Sequence, residues 1–356
     1  MSDSAPEAAG WPRVLYWWPV PDHDAGTEWY RVELPKREYS ARGGQCSRSR
    51  DNVLAPESLS SADVIVGGYR RITPEYSKVW LELCERAEKR MVFDIDDNFF
   101  NAPPHFATSS PEFHAALTPL IRESHVVTVT TSALRDRLLE FNEEVQVVPN
   151  RVPLGLTELD RRQASERTVG WAGGISHEWD WTEVAPRVGR FLARNSGVGF
   201  HAMGSWDVIN MTGWPGPPQV RTSPWRSDVE EYYKSIDFDI GVIPLTAHVF
   251  DRAKSANEFN RSKSAIKALE FAALGIPVVA SAYGPYLDFV KHDETGFLVS
   301  PDRDRDWEKF LRVLAANPER RAEMGTNARS LARSHTVEGN LESWLEPWGV
   351  EVPPQS

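Results

Sequence analysis

The sequence predicts an α/β protein built from two Rossmann-like halves, each a parallel sheet with helices between its strands. Three observations predict it. Short apolar runs of strand length alternate with amphipathic stretches along the chain. Each half opens with such a run leading into a glycine-bearing turn: residues 13–20 (RVLYWWPV) before 21–26 (PDHDAG), and residues 168–174 (TVGWAGG). Residues 260–281, NRSKSAIKALEFAALGIPVVAS, parse as polar loop, helix, glycine stop and a strand buried on both faces.

The 356 residues suffice for two ordinary domains. The expected division is a first domain over residues 1–157, a linker over 158–167, a second domain over 168–335 and a terminal helix over 336–356 that returns to the first domain. Hydrophobic content of 41% with 26% charged residues is that of a globular protein, and no apolar run approaches the length of a bilayer span. The opening MSDSAPEAAG lacks the basic and apolar regions of a secretory signal, and Cys46 and Cys84 fit no zinc or disulfide spacing. A cytoplasmic setting is therefore expected. A formal charge of −11 argues against broad binding to nucleic acid or anionic membrane.

In the first half, residues 13–20 read as the opening strand and residues 27–38 as helix. No G-x-G-x-x-G follows, so a dinucleotide fingerprint is absent. Between Arg31 and Arg50 six basic residues face two glutamates, which suggests either a solvated loop or a docking edge for an anionic acceptor. Gly26 and Arg31 are the candidate residues on this acceptor side. Residues 62–66 (ADVIV) form a buried strand and 74–90 an amphipathic helix. Residues 90–100, RMVFDIDDNFF, then bring Asp94, Asp96 and Asp97 to a strand's carboxyl end, where α/β proteins bind ligands. A carboxylate held there with a raised pKa would serve as a general base toward a hydroxyl. Otherwise the acids cap the next helix and pair with arginines. Residues 126–131 and 145–148 read as strands flanking a helix at 132–141.

In the second half, Gly173 and Gly174 let a ligand approach the backbone after the opening strand, and His177 follows. Residues 200–204 form the next strand, ending at Gly204. Residues 220–225 (VRTSPW) follow, with Thr222 at a ligand-facing end and Trp225 either stacking on a base or packing in the core. Residues 228–235 read as a short helix and 238–245 as a strand. In the 260–281 stretch, Ser262 or Ser264 caps a helix that Gly275 and Pro277 end. Lys263, Lys267 and Glu270 then share one helix face. Cations in a first helical turn oppose the helix dipole, which makes sense if an anion docks among the free N–H groups. The plainer reading is a solvated face carrying a Lys267–Glu270 pair. Helices at 306–316 and 318–335 and an amphipathic segment at 336–348 complete the chain.

Residues 260–281 resemble the donor-binding signature of GT-B glycosyltransferases, most nearly the retaining enzymes of glycosyltransferase family 4 with their glycogen synthase-like donor domain. Residues 283–286 (YGPY), 294–299 (ETGFLV), 238–245 (FDIGVIPL) and 149–153 (PNRVP) are similar to other family motifs. The resemblance implies two Rossmann-like domains facing across a cleft, with the C-terminal helix crossing back to the first. It implies transfer of a sugar from a nucleotide diphosphate sugar to an acceptor hydroxyl with retention. The leaving phosphate oxygen would itself accept the proton, and no cofactor or metal would be needed. Glu270 would hold the ribose, and Lys263 and Lys267 the diphosphate, near Gly173, Gly174, His177, Gly204, Thr222, Ser262 and Ser264. Where the family has a second glutamate, eight residues before Glu270, this chain has Ser262; a KS-x-x-K-x-x-E version of the motif fits it.

Asp94-Ile95-Asp96 is also similar to the metal-holding Asp-x-Asp of GT-A enzymes, a reading that would need the donor in the first half. The acceptor would be a glycan, a lipid-linked or protein acceptor, a small molecule or modified DNA. A sugar-nucleotide epimerase of the same fold, or a non-catalytic sugar-nucleotide-binding module, would share the donor half.

Overall fold

Parallel pairing organises both sheets. The computed structural model describes residues 10–19, 25–160, 167–204, 219–224, 226–249 and 256–350. It divides into two units: unit 1 comprises Met1–Arg151, Ser262–Ser264 and Val337–Ser356, and unit 2 comprises Val152–Arg261 and Ala265–Thr336.

In unit 1 the strands are β1 (Val14–Trp17), β2 (Cys46–Ser49), β3 (Val64–Gly68), β4 (Arg90–Ile95), β5 (Val126–Val129) and β6 (Val145–Val147), in the order β2-β1-β3-β4-β5-β6. The apolar runs 64–66 and 91–93 are buried because helices cover both faces of the sheet. On one side Trp17, Trp80, Phe93 and Leu120 pack together, with α4 (Pro74–Arg86) and α5 (Pro111–Glu123) contributing. β2 was not anticipated. Its sequence CSRS is polar and only half-buried, as an edge strand can be, so no apolar pattern marks it.

The helix expected at 27–38 is interrupted. α1 (Ala25–Glu28) runs into a π-helical turn at Trp29–Glu33 before α2 (Leu34–Ala41) resumes. The wider turn buries Trp29, Tyr30, Arg31 and Val32 together. The remaining unit 1 helices are α3 (Pro56–Ser60) and α6 (Ser132–Leu138). Among its described residues, the C-terminal segment of unit 1 is helical for one turn, at Glu342–Leu345. Its Leu341, Trp344, Leu345 and Trp348 nevertheless bury against Tyr16, Trp18 and Tyr39. Trp348 meets the Tyr39 ring edge-on at 5.0 Å and Tyr16 at 6.2 Å.

Unit 2 has β7 (Thr168–Gly173), β8 (Gly199–Gly204), β9 (Val220–Ser223), β10 (Ile240–Ile243), β11 (Val278–Ser281) and β12 (Gly296–Val299), in the order β12-β11-β10-β7-β8-β9. Its helices are α7 (Leu154–Glu158), α8 (Glu178–Arg194), α9 (Val229–Ser235), α10 (Glu258–Ser262), α11 (Ile266–Ala273), α12 (Tyr286–Phe289), α13 (Asp306–Ala316) and α14 (Pro318–Arg333). The one-turn helix at Glu342–Leu345 in unit 1 is α15. Gly275, at φ +68°, ends α11 in the left-handed region as its position before Pro277 implies.

The start of that helix differs from expectation. The stretch makes two helices, α10 and α11, and Lys263 and Ser264 lie in the connection between them. Ala265 is the N-cap residue of α11 and contributes no side-chain cap. The serines form other bonds: Ser262 meets Asn98 and Thr131, and Ser264 meets Asn150, all within unit 1. Such side-chain bonds draw a chain out of helix.

Truncation of Trp348 to alanine should empty a filled aromatic site and cost unit 1 about 3–5 kcal/mol. Urea unfolding followed by tryptophan fluorescence measures this; an unchanged midpoint would show that the C-terminal segment is not part of the unit 1 core.

Candidate functional site

In an open parallel sheet, ligands bind at the carboxyl ends of strands where the strand order reverses. In unit 2 that point lies between β7 and β10. Gly173 ends β7 there and its missing side chain makes way for the Trp171 ring; a side chain on Gly174, the next residue, would meet nothing within 4 Å, so the backbone is open at Gly174. His177 precedes α8, and its Nδ1 lies 2.8 Å from Oδ2 of Asp180. The other oxygen of Asp180 accepts from the Thr246 backbone N–H at 2.8 Å and from Asn260 Nδ2 at 2.7 Å. Asp180 thus joins the loop after β7, the loop after β10 and α10. The sequence reading missed Asp180; the signal was a carboxylate in a first helical turn, three residues after His177.

α11 precedes a parallel strand, so its N-terminal end lies over the same carboxyl ends. Lys267 stands in its first turn and reaches Glu270 Oε2 at 2.9 Å. The Tyr232 hydroxyl donates to the same oxygen at 3.1 Å, and Lys267 Nζ lies 3.3 Å from that hydroxyl. Glu270 is 1% exposed, a correction to the exposed carboxylate that spacing suggests. Burial, then the Glu270 charge, holds the Tyr232 phenol well above its ordinary pKa. Tyr286 is likewise raised, by burial and then by Asp180 and Glu270. Gly204, at φ +96°, ends β8, and Thr222 lies exposed on β9 beside it. Trp225 lies outside the described residues.

In unit 1 the order reverses between β1 and β3. Two of the expected acceptor-side residues prove structural. Arg31 and Asp94 are both fully buried and form a two-pronged ion pair, Nη2–Oδ1 at 2.6 Å and Nε–Oδ2 at 3.0 Å. Thr128 also donates to Asp94 at 2.6 Å, while Arg31 Nη1 donates to the Val148 carbonyl at 2.6 Å and to Asn150 at 3.1 Å. The guanidinium stacks 4.5 Å from the Trp344 ring. Neither group presents itself to a ligand, because every face of the pair is covered.

Asp96 and Asp97 lie past the end of β4. Asp96 Oδ2 accepts from Thr27 at 2.8 Å, beside Gly26, and Arg70 approaches the same hydroxyl at 3.4 Å. Burial and the Asp96 charge push Asp97 up to about 7, while Lys263 and Arg70 pull it down. Lys263 therefore sits among the carboxylates of unit 1, which corrects its expected place on the helix face with Lys267. Ser262 is 2% exposed; its hydroxyl lies 3.3 Å from Asn98 Nδ2 and its carbonyl accepts from Thr131 at 2.8 Å. It is a packed residue rather than a helix cap or a surface toward a sugar. Ser264 accepts from Asn150 Nδ2 at 3.0 Å.

The basic stretch is no free docking edge. Lys36 pairs with Glu33 at 3.1 Å, Arg42 with Glu38 at 2.7 Å and Glu342 at 3.1 Å, and Arg50 with Glu28 at 3.0 Å. Arg48 pairs with Glu28 and with Glu33, and Arg37 covers the Trp29 ring at 4.6 Å. Besides Glu33 and Glu38 inside the stretch, Glu28 and Glu342 outside it pair with its arginines, which a local count misses. Among the described residues no group of three or more His, Cys, Asp and Glu side chains forms a metal-holding cluster, and no helix is long and apolar enough to cross a membrane.

Residues 220–331 match the family described as Glycosyl transferases group 1. The chain is similar to D-inositol 3-phosphate glycosyltransferases: 37% identical over 81 residues to that of Rhodococcus erythropolis, covering 22% of this chain and 18% of that protein. The Gordonia bronchialis protein is 40% identical over 81 residues, with the same coverage. The match thus spans less than a fifth of the curated relatives' length. Among solved structures, Thermosynechococcus elongatus sucrose-phosphate synthase superposes with a TM-score of 0.64 at 14% identity, over 95% of this chain and 98% of that one. Anabaena HepE in complex with UDP and glucose gives 0.65 at 13% identity, over 94% and 98%. The fold is GT-B.

Two tests follow from the buried charges. Asp94→Asn or Arg31→Met each strands one charge in the core and should cost about 3–5 kcal/mol by urea denaturation, with the double variant losing less than the sum. Additive losses would show that the two side chains do not act as a pair. Glu270→Ala should also lower stability, because it leaves Tyr232 and Lys267 without their shared acceptor.

Proposed function

We propose that this chain is a glycosyltransferase that moves a sugar from a nucleotide diphosphate sugar to an acceptor hydroxyl, with unit 2 holding the donor. The observation that carries this reading is the Lys267–Glu270–Tyr232 cluster at the head of α11, within the stretch that matches the group 1 glycosyl transferases. The head of a helix supplies N–H groups and a positive dipole end to the diphosphate. Lys267 adds a positive charge to these fixed dipoles, which need no reorganisation as negative charge grows on the leaving group. Gly174 leaves room for the donor beside the backbone, whereas the space a side chain on Gly173 would take is filled by the Trp171 ring. His177, held by Asp180, is the polar side chain beyond that turn. Glu270 accepts the ribose hydroxyls in this reading, exchanging the bonds it now receives from Lys267 and Tyr232 for bonds from the ligand.

In unit 1 the acceptor side is the Asp96–Asp97 pair with Gly26, Thr27 and Arg70. The solved neighbours bound to UDP and glucose make a uridine nucleotide the first donor to try. With a lysine and a helix terminus at the diphosphate, the reaction is taken to need neither metal nor cofactor. No spanning helix occurs among the described residues, and we take the protein to work in the cytoplasm.

Lys267→Ala should weaken binding of UDP by roughly ten- to a hundred-fold, the worth of one charge-assisted hydrogen bond, and weaken uridine far less. Calorimetry with UDP, GDP, ADP and their nucleosides measures this. Equal losses for nucleotide and nucleoside would point to a disturbed pocket and sink the assignment. The same variant should lose stability, because the buried Glu270 carboxylate would lose its ion pair with Lys267. Donor turnover should persist in EDTA; loss on chelation with recovery on adding manganese would overturn the metal-free reading.

A further inference from the structure

Unit 2 also carries a cavity of about 820 Å³ at the edge of its sheet opposite Gly174. Asp239 and Pro277 line it, and they are the residues just before β10 and β11. These two strands are parallel, so the cavity sits at their amino ends. α11 spans the sheet between the two edges. Lys267 stands in its first turn, and Leu274 and Gly275, at its other end, line the cavity. The volume is that of a small-molecule site, roughly 300–1,000 Å³.

α14 supplies the basic wall. Arg321, Gly325, Arg329 and Arg333 follow one another at intervals of four, share one stripe of the helix and all line the cavity. Gly325 lets α14 close on α11, because a Cβ there would run into the Gly275 carbonyl. Two of the arginines are anchored on helix ends. Arg321 Nη1 donates to the Leu314 carbonyl at 2.6 Å and the Ala315 carbonyl at 3.3 Å, at the end of α13. Arg329 Nη2 donates to the Leu274 carbonyl at 2.9 Å. A carbonyl satisfies a donor without cancelling the charge, and a guanidinium has five N–H donors to place. Each anchored arginine is thus held in position with donors to spare. Burial, then the Arg167 charge, holds Arg321 below its ordinary pKa, as befits a cation short of an anion. Carboxylates line the same cavity. Glu158 and Asp160 come from the end of α7 and beyond, and Asp239 accepts from the Thr168 backbone N–H at 3.0 Å. Among the described residues no ion pair joins these acids to the arginine stripe.

We propose that this cavity binds a small phosphorylated polyol, its phosphate on the Arg321–Arg329–Arg333 stripe and its hydroxyls on the carboxylates. Guanidinium forks match phosphate oxygens, and ionised carboxylates accept from hydroxyls. A bare anion would meet repulsion from the acids, and a bare polyol would leave the arginine charges unanswered. One molecule carrying both groups satisfies both sets. The site lies wholly in unit 2, away from Lys267 and Glu270, and stands without the glycosyl-transfer reading.

The test is calorimetry on the full chain with sorbitol 6-phosphate as the probe, and sorbitol and inorganic phosphate as its two parts. The probe should bind at least about tenfold more tightly than either part. Arg329→Gln should weaken it by roughly ten- to a hundred-fold, the worth of one charge-assisted hydrogen bond, and lose some stability with the Leu274 carbonyl uncapped. Arg333→Gln lies at an exposed position, so it should weaken the probe with no change in the urea midpoint. Glu158→Gln should weaken the probe while inorganic phosphate binds as well or better, because a like charge is gone. Protein saturated with UDP should bind the probe as before. No binding of the probe, or binding no tighter than inorganic phosphate or sorbitol, overturns the proposal. Full affinity in Arg333→Gln overturns it even if Arg329→Gln fails to fold. Displacement of the probe by UDP overturns it too, by moving the phosphate to the Lys267 edge. A chain that binds the probe but not UDP would strike the donor reading alone.

Discussion

Unit 1 depends on one buried ion pair. Arg31 can be buried only because each part of its guanidinium is satisfied: two prongs by Asp94, one by the Val148 carbonyl and Asn150, and its face by Trp344. Those partners come from β4, the end of β6, the following loop and the C-terminal segment. One side chain therefore sets the depth of the π-helical turn after α1 and the resting place of the last helical turn. A lysine could not replace it, because a point charge lacks the fork that meets several acceptors at once. Asn150 extends the arrangement: one end of its amide accepts from Arg31 and the other donates to Ser264.

Unit 2 solves a similar problem with the opposite charge. Asp180 is buried at the head of α8, and its two oxygens take up His177, the Thr246 N–H and Asn260. A carboxylate is favoured there by the helix dipole and by donors converging from two loops and α10. Loops at the carboxyl ends of strands carry function but are weakly held by packing, so a shared buried acceptor is an economical way to fix their relative positions. Glu270 repeats the device at the head of α11 with Tyr232 and Lys267. The candidate site of unit 2 is thus framed by two buried carboxylates whose partners also line it.

What the sequence by itself determined is the architecture. Buried strands such as 64–66, 91–93 and 278–280 are apolar on both faces because helices cover both, and that pattern needs no tertiary knowledge to read. Gly275 before Pro277 marked the end of α11 for a local reason, the left-handed backbone that glycine tolerates. Lys267 and Glu270 were legible as a pair because three residues of helix bring them together whatever surrounds them. The polar edge strand β2 and the π-helical turn carried no such local signal.

Tertiary structure alone decided which charges are available. Asp94, Asp96 and Asp97 look alike in sequence, yet Arg31, 63 positions before Asp94, removes one from chemistry and leaves Asp97 among mixed charges. Lys263 sits four residues before Lys267, but bonds from Asn98, Thr131 and Asn150 pull its segment out of helix and into unit 1. The basic stretch from Arg31 to Arg50 was neutralised by partners that include Glu28 and Glu342, outside its bounds. In each case the physical reason is the same. Backbone conformation follows from neighbours within a few residues, whereas the state of a charge follows from the groups folded against it, and those come from anywhere in the chain.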